Sequence, residues 1–143
     1  MAVNAERHMI NILYFNLVLE SVLSDAALLI LCTEILKERK LQPVGEVGKM
    51  LAEVTSTPNM SLGLKEKFGG LKKFLEHYNG RFIFSADHPF NPSVTIRSIL
   101  ENMNLDVSDV GVQALAAFYK AKKVLLNYFL FLSQVYFKVI LFI

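Results

Sequence analysis

Five cations and two imidazoles between positions 65 and 97 are the groups in this sequence best suited to chemistry. They are Lys65, Lys72, Lys73, Arg81 and Arg97, with His77 and His88 among them. Ammonium and guanidinium groups contact phosphate oxygens, while imidazole rings stack on unpaired bases. The set therefore fits contact with a polyanion, provided it shares one exposed face. Lysines on an amphipathic helix also serve simply as a solvated face, and spacing alone leaves both readings open. Asp87-His88-Pro89 invites a catalytic reading, but it lacks partners. His8, His77 and His88 are scattered, no His–Glu or Cys pair has ligand spacing, and no glycine-rich loop follows a strand. Asp87 and Asn91 are better suited to hydrogen-bonding a turn backbone. We expect no catalytic residues, no metal and no cofactor.

The elements that carry these groups follow from periodicity. Leu64, Phe68, Leu71, Leu75 and Tyr78 recur at spacings of three and four, which predicts an amphipathic helix over 64–78. Phe74 borders that stripe and, with Tyr78, belongs to the core. Gly69-Gly70 interrupts the helix, either as a break between two short helices or as a point of close backbone approach. Asn79-Gly80 ends it, since both residues tolerate the left-handed conformation of a helix stop. Phe82-Ile83-Phe84 and Val94-Thr95-Ile96 then read as two short strands. Their connection holds Pro89, Asn91 and Pro92, so it is longer and stiffer than a two-residue turn. A helix stop followed by a β-ribbon is the second half of a winged helix-turn-helix.

Upstream, Ser24-Asp25 is an N-cap signal for a helix over 25–40, closed by Lys37, Arg39 and Lys40. Pro43 precedes a helix over about 44–54 with Val44, Val47 and Leu51 on one stripe, and 55–61 reads as a polar loop. Downstream, Ile99, Leu100 and Met103 lead to a polar turn, and Asp106 or Ser108 caps a further helix. The fold class expected is mainly α with a small β-ribbon: a winged helix-turn-helix flanked by an apolar N-terminal helix and a C-terminal helix. The divisions are 1–23, 24–104, 105–123 and 124–143.

At 143 residues the chain fits one core, and its net charge of +2 is too mild to identify a partner by itself. A single cysteine, Cys32, excludes an internal disulfide and points to a reducing, cytoplasmic setting. No secretory signal opens the chain.

Both termini are apolar. Residues 4–23 read as a helix with apolar side chains around most of its circumference. It packs inside the domain, meets a partner through Ile10, Leu13 and Leu17, or touches a membrane. Residues 124–143 are long enough for a membrane span and follow Lys120, Lys122 and Lys123, although Asn127, Gln134 and Lys138 count against it. They also fit packing against the first helix, or the read-through tail of a truncated isoform beginning near Lys123-Val124. Leu115 and Phe118, on the helix before this tail, are further candidate partner contacts.

Three runs together carry a resemblance. They are Leu41-Gln-Pro-Val-Gly-Glu-Val-Gly-Lys-Met-Leu51, Phe68-Gly-Gly-Leu-Lys-Lys-Phe-Leu75 and Arg81-Phe-Ile-Phe84. The chain resembles the LOTUS domain, or OST-type helix-turn-helix, over roughly 25–97, and is most similar to the version that opens Egalitarian-like proteins. The resemblance implies a winged-helix module of RNA-regulatory proteins, several of them germline proteins, that binds RNA with a taste for G-rich forms. It also implies an alternative, docking of a Vasa-type DEAD-box helicase through an added C-terminal helix, or of a dynein adaptor. The exonuclease-like activity of Egalitarian-like proteins is not carried over.

Overall fold

The computed structural model describes Glu6, Met9, Ile10 and residues 23–142. The first helix, α1 (Asp25–Arg39), starts where Ser24 turns its hydroxyl back to accept from Ala27 N at 3.3 Å. That bond satisfies one of the amides a helix leaves open at its start. Leu28, Cys32, Ile35 and Leu36 recur at helical spacing and form its buried face. Lys40 then takes φ 72°, which turns the chain into a short strand, β1 (Gln42–Pro43).

Helix α2 (Val44–Thr55) follows, with Val44, Val47 and Leu51 buried as expected. The predicted helix over 64–78 is two helices, α3 (Met60–Phe68) and α4 (Leu71–Glu76). Gly69 and Gly70 lie between them at φ 79° and 112°, a pair that side-chain-bearing residues rarely adopt. Of the two roles open to the glycines, the break is therefore the one found. Helix α3 also starts four residues before Leu64, inside the segment read as loop. Met60 there is fully buried, and this tertiary anchor outweighs the local polarity.

The ribbon forms as predicted. Strand β2 (Phe82–Phe84) runs antiparallel to β3 (Ser93–Ile96), with Phe82 opposite Ile96 and Phe84 opposite Val94. The sheet has three strands rather than two. Its order is β1-β3-β2, and Gln42 pairs with Val94 on the other edge of β3. Pro43 is tolerated because β1 is an edge strand. Helix, strand, two helices and a ribbon packed on the first strand make the winged helix-turn-helix arrangement, here with α4 added before the ribbon. The core fills the space between helices and sheet. Phe74, Phe82, Leu36, Leu51, Leu75 and Val94 are among its fully buried members.

A short helix, α5 (Arg97–Asn102), follows directly from β3, where the sequence pattern predicts only a lead-in to a turn. The last helix, α6 (Asp109–Phe142), packs Gly111, Val112 and Leu115 onto the body. A Cβ on Gly111 would collide with the carbonyl of Asp106, so the close approach needs glycine. Helix α6 continues without a break across Lys123-Val124, and residues 124–142 are exposed along their whole length. Packing of this tail against the described body is thus not found, and the first helix, the partner expected for it, lies mostly outside the described residues.

One partner-contact expectation changes. Leu115 is fully buried, because it lies on the inward stripe of α6 with Val112, and it cannot meet a partner. Phe118 and Ile10 are exposed. Leu13 and Leu17, like most of the predicted helix over 4–23, lie outside the described residues.

Candidate nucleic-acid interface

An open cleft of about 520 Å³ runs between α2 and the α3–α4 pair. Its α2 wall is made by Gly45, Gly48 and Ala52, which recur at spacings of three and four and so leave one helix face without bulk. Opposite stand Gly69, Gly70 and Leu71, and Leu64 closes the apolar floor. Three lysines rim the opening: Lys49 from α2, Lys65 from α3 and Lys72 from α4. The break at Gly69-Gly70 matters to this geometry. It turns α4 away from the axis of α3, so that Lys65 and Lys72 border one depression instead of following one rod.

The lysines are not equivalent. Lys49 lies 3.3 Å from Glu46, and Lys72 lies 3.7 Å from Glu76. Lys72 also donates to the carbonyl oxygen of Pro89 at 2.7 Å, which fastens the wing tip to α4. Among the described residues, Lys65 and Lys73 have no ion-pair partner. The stem of Lys73 folds beside Gly69, where a Cβ would come within 2.9 Å of its Cδ. Of these four lysines those two are best able to take up a phosphate, since neither must first release a carboxylate.

Arg81 and Arg97 belong to a different place. They border a second, shallower cleft of about 410 Å³ with Thr33, Lys37, Ser98 and Glu101. Arg81 Nη1 donates to Thr33 Oγ1 at 3.4 Å, and Arg97 Nε donates to Glu101 Oε1 at 2.7 Å. The seven predicted contacts therefore do not form one cluster. Antiparallel pairing explains the separation, because it sets Arg97 beside Arg81 at the base of the ribbon, where Arg97 N donates to Arg81 O at 2.8 Å.

His88 is exposed but engaged. Its Nδ1 accepts from Asn91 N at 2.8 Å and from Phe90 N at 3.2 Å, so the imidazole organises the wing tip. Asp87 accepts from the hydroxyl of Ser85. The Asp87-His88-Pro89 run is in this way committed to turn geometry. His77 is exposed just after α4 and borders neither cleft. Tyr78 is half-buried and packs on Phe74 with ring centres 5.3 Å apart, as a core residue does.

Asn91 was expected to bond its own turn. It reaches α2 instead, accepting from Gly45 N at 2.8 Å. Pro43 precedes α2 and offers no side-chain cap, so the wing supplies one from 46 residues away. Asp109 makes the corresponding link from α6, accepting from Ala86 N at the other end of the wing. Lys49 is the rim residue that sequence reasoning missed. Its signal is the Gly45, Gly48, Ala52 face on which it borders.

Among the described residues, no group of His, Cys, Asp or Glu side chains is arranged to hold a metal ion. No protein-family model, curated protein or solved structure matches this chain.

Proposed function

We propose that this protein is a non-catalytic RNA-binding module, and that single-stranded RNA lies along the α2/α3–α4 cleft. The carrying observation is the lysine rim of Lys49, Lys65 and Lys72 around a glycine-walled, apolar-floored opening. An unpaired base needs an apolar surface with backbone close by, and its phosphates need cations at the edge. The cleft offers both within one winged helix. The resemblance to the LOTUS domain supports the same reading and adds a preference for G-rich RNA. Arg81 and Arg97, on their separate face, are not part of this path.

Filter binding against G-rich and mixed-sequence RNAs at two salt concentrations tests the proposal. Retention should fall steeply with salt, with a slope of about 0.7 per phosphate neutralised on a single strand. A flat salt response would remove the reading. A second reading, docking of a DEAD-box helicase or dynein adaptor, is favoured by one observation. Val110 and Phe118, eight residues apart on the outward face of α6, are 67% and 48% exposed. Phe118→Ala with Val110→Ser should abolish such docking and leave RNA retention unchanged.

A further inference from the structure

Beyond Lys123, α6 leaves the body entirely. Its buried residues end at Leu115, while every residue over 124–142 is exposed. Fifteen of these nineteen are apolar or aromatic, the others being Asn127, Ser133, Gln134 and Lys138. Asn127, Gln134 and Lys138 are spaced seven and four apart, in line with Lys120 and Lys123. The polar groups therefore share mainly one narrow stripe, and nearly all the remaining circumference is apolar. This distribution decides what can cover the helix. A protein groove or a second copy covers an apolar stripe on the order of 100° wide and would leave most of this surface in water. A bilayer covers all of it.

We propose that residues 124–142 cross a lipid bilayer and tether the folded body to its surface. The helix is long and apolar enough for this. Nineteen residues rise about 28 Å, against a hydrocarbon thickness of about 30 Å. Lys120, Lys122 and Lys123 stand at the end nearest the body, where headgroup phosphates lie and where the cytoplasmic side favours cations. Lys138 is four residues from Phe142, roughly 6 Å along the axis, within reach of the opposite headgroups. Because α6 is continuous from Asp109 to Phe142, only about two and a half helical turns separate Leu115, its last buried residue, from the membrane. RNA held in the cleft would then be held at a membrane surface. The span itself does not depend on the RNA-binding reading.

The test uses the full chain, reconstituted by detergent removal into phosphatidylcholine–phosphatidylglycerol vesicles and digested with trypsin from outside. A span leaves a vesicle-protected peptide that begins at Val124 and is uncut after Lys138. Adsorption on the surface instead exposes Lys138, and cleavage there in floated vesicles would overturn the proposal. A soluble dimer, or aggregate that sediments without lipid, would overturn it equally. Leu132→Arg places a charge near mid-span and should lower the yield of protected peptide at least about tenfold. The melting of the body should stay unchanged. An undiminished yield from this variant would count against the span.

Discussion

Lys72 donates through Nζ to the carbonyl oxygen of Pro89 at 2.7 Å, joining the rim of the main cleft to the tip of the wing. One lysine thereby connects α4 with a loop seventeen residues further along the chain. The wing is held at three points, the others being Asn91 on α2 and Asp109 on α6. Lys72 is consequently a structural residue as much as a candidate RNA contact.

Replacing that donor should loosen the wing without unfolding the body. Lys72→Met is expected to speed amide exchange over 86–92. The loss of global stability should be at most about 1 kcal/mol, the scale of one partly exposed hydrogen bond. Lys65→Met, which removes no such contact, should leave wing exchange unchanged. Equal exchange in the two variants would show that the Lys72 tether carries no weight.

For RNA binding, Lys65 and Lys73 are the informative pair, because their loss breaks no ion pair among the described residues. Lys65→Glu with Lys73→Glu should weaken retention at least about tenfold and lower the salt slope by about 1.4, two phosphate contacts at about 0.7 each. Arg81→Glu, on the second face, should have little effect. If the arginine variant is the damaging one, the RNA path lies at the ribbon base.

The distant cap on α2 yields a stability prediction. Asn91→Ala leaves Gly45 N without its acceptor and should cost about 1 kcal/mol, as lost N-caps do. Asn91→Asp keeps an acceptor oxygen and should retain most of that stability. Thermal unfolding of the two variants separates the cap from a general effect of altering the loop.

Burial pushes the Cys32 thiol from its ordinary value of 9.0 up to about 12. The unfolded chain releases this proton near 9, whereas the folded protein keeps it. Stability owed to the neutral thiol is therefore complete below about pH 9 and is lost as pH rises toward 12. Cys32→Ala should flatten this part of the stability profile in chemical denaturation. In the native protein at pH 8, a thiol reagent should modify Cys32 only as fast as the chain opens.

Much of the scaffold was legible along the chain, since caps, periodicity and turn formers act over a few residues. Ser24 announced α1, the Val44, Val47 and Leu51 stripe announced α2, and the aromatic and β-branched runs announced β2 and β3. Gly69-Gly70 announced an interruption, although only the backbone angles chose a break over a close approach. The sequence alone determined most of the residues that turn inward, because the helical and strand periods are local properties of the backbone, whereas the burial of Met60 and Leu115 came only with the fold. Partners distant in sequence came only with the fold. Gln42-Pro43 is too short to read as a strand and becomes one because β3 presents a free edge. The predicted cations separated into two faces for the same kind of reason: antiparallel pairing sends Arg81 and Arg97 to the ribbon base, while the glycine break brings Lys65 and Lys72 around one cleft. The turn at Gly69-Gly70 and the register of β2 with β3 are tertiary choices, and together they decide which charges become neighbours.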